Sequence, residues 1–562
     1  MTTLDEGMIE SWIADDPDEN TRTEIEELLR AHRDGDASAT QELADRFSSP
    51  LTFGTAGLRG RLGGGPHRMN RAVVIRAAAG LVAFLQQQVG DDFSLVIGYD
   101  ARYGSRQFAQ DTAAVAVAAG GRALLFDRAL PTPVTAFALK HLGVDAAVVV
   151  TASHNPPEDN GYKVYLGGRA VTDSGQGAQI VPPYDAEIFA AIQAVTAVAD
   201  VPRADSGWTI IGDEVVEAYL SRAVSLVPAG EKDLRIVLTS LHGVGGDIAL
   251  KALNRAGFAD VHVVAEQHDP DPDFPTVSFP NPEEPGALDL AFALAKKIDA
   301  DIIVVNDPDA DRFSAAIPDP RGEDGWRQLT GDEVGALLGE AVARSHGEGS
   351  AVLANSIVSS RLLAQIAHAH GVSHRATLTG FKWISRVDGI VFGYEEALGY
   401  CVDPNYVRDK DGITACLQLV NMAAQRKSAG SSLLAELDDL ACTHGLYATA
   451  PLSIRVADLS LIAQGMENLR SGRLKSLAGS PLTSTVDLSE GSGDLPPTDG
   501  LIFTSQRNDR VVARPSGTEP KLKCYLETIV DVPEAADLDA IRNEAANRLQ
   551  AMKADMKEAL GI

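Results

Sequence analysis

A candidate reactive serine lies in the stretch TASHNPPEDNGYKVY, residues 151–165, directly after the apolar run AAVVV that ends at Val150. The run predicts a buried strand, and the two prolines that follow stop regular structure. A strand that ends in a constrained loop can expose a reactive side chain, because the sheet fixes the backbone while the loop faces a crevice. Ser153, with His154 beside it, is therefore the first candidate for chemistry.

Three alternate aspartates follow a second apolar run, in VVNDPDADRF. In a tight loop the carboxylates of Asp307, Asp309 and Asp311 can turn toward one point, which suits a hard divalent cation such as Mg²⁺. An EF-hand is excluded, because Arg312 occupies the sixth loop position and Pro318 the twelfth. An acidic solvated turn is the alternative for an isolated pattern of this kind, but the apolar strand before it favours a metal site.

Two further polar stretches offer groups that bind phosphate and sugar. The stretch VVARPSGTEPKLKCYLE supplies a guanidinium fork, two hydroxyls and a flexible backbone, from Arg514, Ser516, Gly517 and Thr518. In IVFGYEEALGYCV the adjacent acids Glu395 and Glu396 end an apolar strand, and a carboxylate accepts well from a sugar hydroxyl. Taken alone, the first is also compatible with a solvated turn and the second with surface decoration.

The elements that must position these groups alternate along the chain as βαβ units do. Strands are predicted at 95–100, 146–153, 235–240, 301–307, 351–356 and 390–396. The stretches 106–121 and 288–298 have the apolar spacing and alanine content of helices that pack on a sheet. Three of the strands run directly into the polar loops, which predicts a shared site at the carboxyl ends of the strands.

At 562 residues the chain is too long for one core, and its pattern breaks near 200, 320 and 450. We predict a helical extension and four domains, over 1–45, 46–205, 206–322, 323–448 and 449–562. The helix signal in the extension is clearest in IEELLRAHRD. The Ser/Thr/Gly/Pro-rich stretch 476–500 indicates long loops inside the last domain.

Composition excludes several classes of protein. Hydrophobic residues make up 45% and charged residues 23%, as in an ordinary globular protein, and no apolar stretch reaches the roughly 20 residues needed to span a bilayer. The acidic N-terminus lacks a signal pattern, which favours a cytoplasmic location. The four cysteines show no C-x-x-C spacing and indicate neither a disulfide framework nor a zinc site. A net charge of −29 opposes binding of nucleic acid or anionic lipid, so basic loops are informative here.

Together the four stretches resemble the α-D-phosphohexomutase superfamily, in the expected order and over nearly the whole chain. The resemblance rests on T-A-S-H-N-P with N-G-Y-K, then D-P-D-A-D-R, G-Y-E-E-A-L-G and R-P-S-G-T. FGTAGLRGRLGGGPHRMN (53–70) and TGFKWI (379–384) are most similar to the branch that contains phosphoglucomutase-2 and phosphopentomutase, with bacterial phosphoglucomutase and phosphomannomutase relatives. The resemblance implies an α/β, four-domain, heart-shaped architecture with three related α/β domains and a smaller C-terminal α+β domain.

The resemblance also implies roles for the residues that match the family motifs. Ser153 would carry the phosphoryl group, and Mg²⁺ would be held by a phosphoserine oxygen together with Asp307, Asp309 and Asp311. The residues implied to lie near the phosphoserine are Arg59, His154, Lys163 and Arg312. The residues implied to bind substrate are Thr379, Gly380 and Lys382 for sugar orientation, Glu395 for sugar hydroxyls, and Arg514, Ser516, Gly517 and Thr518 for the non-reacting phosphate.

The implied activity is that of a phosphosugar mutase, an intramolecular phosphotransferase that passes through a bound sugar 1,6-bisphosphate. We expect glucose 1-phosphate and glucose 6-phosphate as substrates, with a phosphopentomutase or phosphomannomutase as alternatives. Ala397 stands where many glucose- and mannose-handling relatives have serine, which keeps these alternatives open. A magnesium-dependent phosphatase and a non-catalytic phosphosugar sensor are the competing functions, and we expect a monomer or homodimer without nucleic-acid or membrane partners.

Overall fold

The computed structural model describes residues 4–54, 57–346, 349, 351–456, 460–516 and 521–561. The chain divides into two compact bodies. The first body comprises Met1–Gln328 and Gly399–Gln425, and the second comprises Leu329–Leu398 and Arg426–Ile562.

Helices and strands alternate through most of the chain, and a mainly β segment follows. The helices are α1 Glu6–Asp15, α2 Glu19–Arg33, α3 Ala37–Arg46, α4 Arg71–Val89, α5 Ser105–Ala118, α6 Thr132–His141, α7 Tyr184–Gln193, α8 Asp213–Ser225, α9 Gly246–Arg255, α10 Asp289–Ile298, α11 Gly331–His346, α12 Leu362–Ala369, α13 Phe381–Ile384, α14 Gly412–Ser428, α15 Leu433–His444, α16 Ser460–Arg470 and α17 Leu538–Leu560. The strands are β1 Leu58–Arg61, β2 Ser94–Tyr99, β3 Arg122–Phe126, β4 Ala146–Val150, β5 Asp159–Leu166, β6 Thr209–Ile211, β7 Ile236–Thr239, β8 Val261–Val263, β9 Ile302–Asn306, β10 Phe313–Glu323, β11 Trp326–Gln328, β12 Val352–Ser356, β13 Ser373–Thr377, β14 Ile390–Glu395, β15 Gly399–Cys401, β16 Leu446–Arg455, β17 Ser476–Leu477, β18 Ser480–Asp487, β19 Leu501–Ser505, β20 Arg510–Pro515 and β21 Lys521–Val530.

The first sheet has the strand order β1-β5-β4-β2-β3-β6. Strands β4, β2, β3 and β6 are parallel, whereas β5 returns antiparallel to β4. Strand β4 is buried along its whole length, as its apolar sequence requires of a central strand. In the register of the β4–β5 pair, Lys163 lies opposite Val149. The hairpin therefore brings Lys163 back to the end of β4 from which Ser153 follows.

The second sheet of the first body has the order β11-β10-β9-β7-β8. Strand β9 is parallel to β7 and antiparallel to β10, and its last pair joins Asn306 to Phe313. The aspartate stretch 307–312 is thus a hairpin loop. A short antiparallel connection of this kind keeps the aspartates within one tight turn.

The second body contains two different sheets. Strands β13, β12 and β14 are neighbours and run parallel. The C-terminal sheet has the order β16-β21-β20-β19-β18-β17 and is antiparallel, with α16 and α17 packed against it. Three α/β sheets that contain parallel strands and one antiparallel α+β sheet confirm the predicted four-domain fold class.

All six predicted strands and both predicted core helices are present, with bounds that differ by a few residues. The prediction of long loops over 476–500 was wrong, because Ser480–Asp487 forms β18, paired to β19. Thr483, Ser484 and Thr485 of this strand are exposed, so its composition is typical of a loop. Its β-branched residues nevertheless favour an extended backbone.

Within the part of the chain that the structure describes, α4 is the one helix that is long and apolar enough, by length and composition, to cross a membrane. Eleven of its residues, among them Val74, Ile75 and Leu81, are buried in the first body. It packs against α5 and α7, which is the ordinary environment of a core helix.

A buried carboxylate fixes the start of the strand that leads to Ser153. Asp145 accepts hydrogen bonds from the backbone N–H and Oγ of Ser94 at 2.9 and 3.0 Å, and it pairs with Arg169 at 2.9 Å. Burial alone would raise the pKa of Asp145, but the hydrogen bonds from Arg169 and Ser94 hold it at about 2.

We expect Asp145→Asn to lower the free energy of unfolding at pH 7 by about 2 kcal/mol, the equivalent of the shift in pKa. Because the folded pKa is depressed, this contribution is present above about pH 4, the ordinary range of the carboxyl group, and is lost as the pH falls toward 2. Thermal unfolding of both proteins across this range measures it. Asp92→Asn, which removes the exposed partner of Arg169, is the matched control and should change stability little. A difference between wild type and Asp145→Asn that stays constant down to pH 2 would contradict the prediction.

Candidate active site

Ser153 lies three residues beyond β4, in a left-handed backbone conformation with φ of 53°. Its N–H donates to Thr151 Oγ1 at 2.9 Å, and its hydroxyl donates to Asp307 Oδ2 at 2.8 Å. A left-handed conformation at a non-glycine residue is costly and is found mainly where the surrounding structure enforces it. The structure thus joins the first two candidate stretches, the serine loop and the aspartate loop, by a direct hydrogen bond.

Arg102 enforces the shape of the serine loop. Its buried guanidinium donates to the carbonyl oxygens of Ser153 at 2.7 Å and of Pro156 at 2.6 Å, and it pairs with Asp100 at 3.3 Å. A planar fork with several donors suits this task, because it can bind more than one carbonyl at once. Gly161 is required beside the loop, since a Cβ there would lie 2.5 Å from the carbonyl oxygen of Thr151.

The carboxylates of Asp307, Asp309 and Asp311 are buried, and one oxygen of each lies within 4.8 Å of the others. Asp309 Oδ2 accepts from Lys163 Nζ at 2.8 Å and from Thr132 Oγ1 at 2.7 Å. Asp311 Oδ2 accepts from Lys163 Nζ, also at 2.8 Å. Lys163 thus donates to two carboxylates, in each case to the Oδ2 atom.

The other oxygens of these two carboxylates are the strongest indication of a metal site. Asp309 Oδ1 and Asp311 Oδ1 are buried and have no hydrogen-bond partner. Buried carboxylate oxygens without a partner are costly, and a bound cation relieves that cost. An all-oxygen donor set suits Mg²⁺, so the residues present fit the cation that the sequence predicts. The carboxylate of Asp307 would complete the set, and the cation would supply neutralisation of a transferring phosphoryl group.

Charge and burial act differently on the pKa values of Asp307, Asp311 and Lys163. Burial and the charges of Asp309 and Asp311 raise the pKa of Asp307 well above its usual range. Burial would raise the pKa of Asp311 as well, but Lys163 and Lys410 lower it below its usual range. Burial would lower the pKa of Lys163, but Asp309 and Asp311 raise it. Lys163 is therefore held as a cation by the carboxylates that it neutralises.

Three further predicted residues surround the serine loop. His154 Nδ1 lies 3.2 Å from Ser153 Oγ, and Arg59 Nη1 donates to Asn155 Oδ1 at 3.2 Å. The backbone N–H of Arg312 donates to Asp307 Oδ1 at 3.0 Å. Burial, together with the charges of Arg312 and Arg59, lowers the pKa of His154 well below its usual value. The imidazole is therefore neutral at neutral pH.

In the second body, the loop of Thr379, Gly380 and Lys382 begins the short helix α13. Gly380 has φ of 103°, a conformation that favours glycine. The flanking residues Leu378 and Trp383 belong to one hydrophobic cluster with Val512 of β20 and Tyr525 of β21. This cluster packs the 379–382 loop onto the strands on either side of the predicted phosphate loop.

Glu395 ends β14 and is half-buried, and Glu396 follows it. Glu396 Oε2 accepts from Ser356 Oγ at 3.1 Å and from Ser359 Oγ at 2.9 Å. Burial and the charges of Glu395 and Asp332 raise the pKa of Glu396 to about 7. The two hydroxyls fix the second acid of the pair, and with it the backbone that presents Glu395.

Arg514 lies near the end of β20, where it pairs in register with Lys523 of β21. Ser516 begins the turn between the two strands, and its N–H donates to the carbonyl oxygen of Lys521 at 2.8 Å. The other two predicted phosphate-binding residues, Gly517 and Thr518, lie outside the described residues. A hairpin turn that carries an arginine and a hydroxyl is suited to binding an anion.

Sequence reasoning missed three residues of the first body's site, namely Arg102, Thr132 and Lys410. Lys410 Nζ lies 3.3 Å from Asp311 Oδ2. These residues reach the site through the tertiary fold, and nothing in the local sequence distinguishes Thr132 or Lys410. The one available signal is the polar segment after β2, where Asp100 and Arg102 follow a buried strand just as Ser153 follows β4.

Family models cover most of this chain. The phosphoglucomutase/phosphomannomutase α/β/α domains I, II and III match residues 50–198, 215–322 and 330–440, and the C-terminal domain of the same family matches 489–546. The chain therefore belongs to the phosphoglucomutase/phosphomannomutase family. It is a phosphosugar mutase, an enzyme of the isomerase class.

Curated relatives with different names match along most of their length. A probable phosphomannomutase of Haemophilus influenzae is 45% identical over 84% of this chain and 95% of its own. A probable phosphoribomutase of Schizosaccharomyces pombe is 34% identical over 92% and 93%. A human glucose 1,6-bisphosphate synthase is 31% identical over 97% and 93%.

Solved structures agree in fold. A phosphoglucomutase/phosphomannomutase family protein of Burkholderia thailandensis superposes with a TM-score of 0.68, at 20% identity, over 90% of this chain and 97% of that chain. The open form of Paramecium parafusin gives 0.66, at 18% identity, over 92% and 97%.

We expect Ser153→Ala to lower kcat by about three orders of magnitude or more, because no other side chain would carry the phosphoryl group. The change removes one hydroxyl and its hydrogen bond to Asp307, so the thermal midpoint should move by no more than about 4 °C. Ser314→Ala, which removes a buried hydroxyl on β10, is the matched control and should remain active. More than a trace of mutase activity in Ser153→Ala would exclude a covalent role for this serine.

We expect exhaustive treatment with EDTA to stop turnover and Mg²⁺ to restore it. Asp309→Asn removes a charged ligand, so its kcat should fall by about 100-fold or more at saturating Mg²⁺. Asp319→Asn alters a buried carboxylate of the same body that is paired with Arg321 and Arg327, and its response to Mg²⁺ should match wild type. Full activity after removal of divalent cations would eliminate the metal from the mechanism.

Proposed function

We propose that this mutase interconverts glucose 1-phosphate and glucose 6-phosphate through a phosphoserine at Ser153. The observation that carries the proposal is the hydrogen bond of 2.8 Å from Ser153 Oγ to Asp307, within the trio of buried carboxylates. A serine that served binding alone would not need to lie beside unpartnered carboxylate oxygens. A phosphate ester on this oxygen would lie next to the cation that those carboxylates suit.

The phosphoryl transfer exchanges one phosphorus–oxygen bond for another. A hydroxyl oxygen of the sugar monophosphate forms a bond to the phosphorus of phosphoserine, the bond from phosphorus to Ser153 Oγ breaks, and the hydroxyl proton ends on Ser153 Oγ. The product is the sugar 1,6-bisphosphate, which returns its other phosphate to the serine after it has turned around. Phosphoryl transfer depends on charge neutralisation and alignment more than on a strong base.

The side chains around Ser153 have the chemistry for these steps. Lys163, held as an ammonium group by two carboxylates, neutralises charge on the transferring group. His154 Nδ1 lies 3.2 Å from the serine oxygen, within reach of the proton that moves. Arg59 and Arg312 add cationic side chains to the same region, which favours a dianionic ligand.

The resemblance to the family implies that further residues bind the substrate. Glu395 would accept from sugar hydroxyls, and the loop of Thr379, Gly380 and Lys382 would distinguish the two orientations of the sugar. Arg514 and Ser516, with Gly517 and Thr518, would hold the phosphate that does not react. One hydrophobic cluster contains residues that flank both the 379–382 loop and the predicted phosphate loop, which supports the two loops acting as one unit.

A hexose is favoured by the acid-bearing loop and by two of the relatives, whose names specify a phosphomannose and a glucose bisphosphate. A pentose phosphate is the second candidate, favoured by the phosphoribomutase relative and by Ala397. Without a hydroxyl at position 397, the loop loses one possible hydrogen bond to a ring substituent, which is a change of roughly 1 kcal/mol. That is enough to reorder close substrates.

We expect kcat/KM to be highest for glucose 1-phosphate, lower for ribose 1-phosphate and lowest for mannose 1-phosphate. Each reaction is started with its matching bisphosphate, and inorganic phosphate is measured in parallel to exclude hydrolysis. Ala397→Ser should raise the ratio of glucose to ribose activity by about fivefold, because it restores the missing hydroxyl. A clear preference of the wild type for ribose 1-phosphate would overturn the hexose assignment and leave the phosphoserine chemistry standing.

A further inference from the structure

Helices α1, α2 and α3 form an extension that precedes the first sheet, and two of them bind a loop of three glycines (residues 63–65) just after β1. Glu24 Oε2, from α2, accepts from the N–H of Gly64 at 2.8 Å. Arg46 Nη1, from α3, donates to the carbonyl oxygen of the same glycine at 3.2 Å. Glu24 Oε1 also accepts from Arg46 Nη2 at 2.7 Å. Glu24 and Arg46 thus form a clamp that holds both polar backbone groups of Gly64.

The packing around Gly64 is as close as a backbone allows. Gly64 is buried, and a Cβ on it would lie 2.6 Å from Cγ1 of Ile25 and 2.8 Å from the carbonyl oxygen of Thr21, both in α2. Only glycine permits such an approach. Arg46 is 8% exposed, so the guanidinium of the clamp is buried together with the loop. The extension is therefore fitted to this loop rather than resting on the surface of the first body.

The glycine loop is held from a second side by Asn70. Asn70 Nδ2 donates to the carbonyl oxygens of Gly63 at 2.9 Å and of Gly65 at 2.8 Å. Its Oδ1 accepts from the N–H of Val73 at 2.9 Å, which caps the N-terminus of the core helix α4. Asn70 thus holds the first and third glycines, and the clamp holds the middle one.

The loop continues the strand that carries Arg59, and residues 60–63 alone separate Arg59 from Gly64. Arg59 lies opposite Gly161 in the register of the β1–β5 pair, and the N–H of Leu62 donates to the carbonyl oxygen of Glu158 at 2.7 Å. Strand β1 therefore runs along the segment that follows Ser153. A shift of the glycine loop would move β1 and the side chain of Arg59 with it.

The guanidinium of Arg59 interacts with both loops of the active site. It donates to Asn155 Oδ1 of the serine loop. Burial lowers the pKa of Arg59, and the charge of Asp309 in the aspartate loop opposes that shift. Misplacing such a group by about 1 Å can lower a rate by about 100-fold, even when the cause lies far from the reacting atoms. The position of β1 is therefore important for catalysis.

We propose that Glu24 and Arg46 are positioning residues that act through the glycine loop to hold Arg59 at the phosphorylated serine. The extension then contributes to phosphoryl transfer without touching the substrate. Its effect falls on the transferring group, so it should alter kcat more than KM. This inference rests on the proposed phosphoserine at Ser153.

The test is a double-mutant cycle between Glu24→Ala and Arg59→Gln, with kcat measured per folded molecule for glucose 1-phosphate and, in parallel, ribose 1-phosphate. Alanine favours helix, so the first change removes the carboxylate of the clamp and leaves α2 intact. Glu24→Ala alone should lower kcat by about tenfold, with KM changed by less than about threefold. In the Arg59→Gln background it should lower kcat by less than about twofold, because the residue through which the clamp acts is then absent.

Two further variants separate positioning from general effects of mutation. Glu24→Gln keeps an acceptor for the N–H of Gly64 and should retain kcat within about threefold of wild type. Glu27→Ala is the matched control, because it removes an exposed glutamate of the same helix, and it should leave kcat unchanged in both backgrounds. Thermal unfolding of every variant gives the folded fraction to which kcat is referred.

Three results would overturn the inference. The first is a wild-type kcat in Glu24→Ala, and the second is a wild-type kcat in Arg59→Gln. The third is an equal fall in kcat on Glu24→Ala in both backgrounds, which would show an effect that does not pass through Arg59. The proposed function is tested separately, by the intact mass of the wild type after incubation with glucose 1,6-bisphosphate. A wild type that takes up no phosphate would refute the phosphoserine, and the cycle in kcat would still decide whether the extension acts through Arg59.

Discussion

The burial of three carboxylates in one hairpin loop is the constraint on which the rest of this site depends. Asp307, Asp309 and Asp311 are almost completely removed from solvent, and three unpaired negative charges in such a place would be far too costly. The fold meets this cost with lysines on the Oδ2 atoms of Asp309 and Asp311. The Oδ1 atoms of Asp309 and Asp311 have no hydrogen-bond partner, and a divalent cation bound there would remove the remaining cost.

This requirement explains the distribution of strain and close packing around the loops. Ser153 and Ala310 both have positive φ, at 53°, although neither is glycine. Each is held by contacts from elsewhere: Arg102 grips the carbonyl of Ser153, and the N–H of Gly412 binds the carbonyl of Ala310. Strained residues that are fixed in this way keep their geometry while a ligand changes, which is the preorganisation that phosphoryl transfer requires.

The sequence predicts those parts of the site whose signals are local. A buried strand followed by a polar loop is visible in the sequence around Ser153 and around Asp307, and both predictions agree with the strands of the structure. Thr132 and Lys410 contribute through tertiary contacts, which no local pattern reveals. Lys410 is the clearest case, because the acids on either side of it, Asp409 and Asp411, are held by tyrosines of other elements.

The prediction of loops where β18 lies was wrong for a related reason. By composition alone, its serines and threonines are typical of a loop. A strand that lies next to the edge of a sheet can nevertheless expose polar residues. Amino-acid composition indicates which residues are exposed to solvent. Whether the backbone is extended depends on the strands that pair with it. The same distinction separates Glu395 from Glu396, since only the contacts with Ser356 and Ser359 show that one acid is held by the protein.

The overall charge of −29 makes the local concentration of cations decisive for an anionic substrate. Salt screens exposed charges over about 10 Å, so the electric field of the acidic surface falls off over that distance. The charges of buried cations are screened much less. Arg102, Lys163 and Lys410 are each less than a tenth exposed. Their charges act on the serine loop with little screening and offset those of the buried carboxylates beside it. An acidic surface and a buried cluster of cations can therefore occur in one protein with little mutual interference.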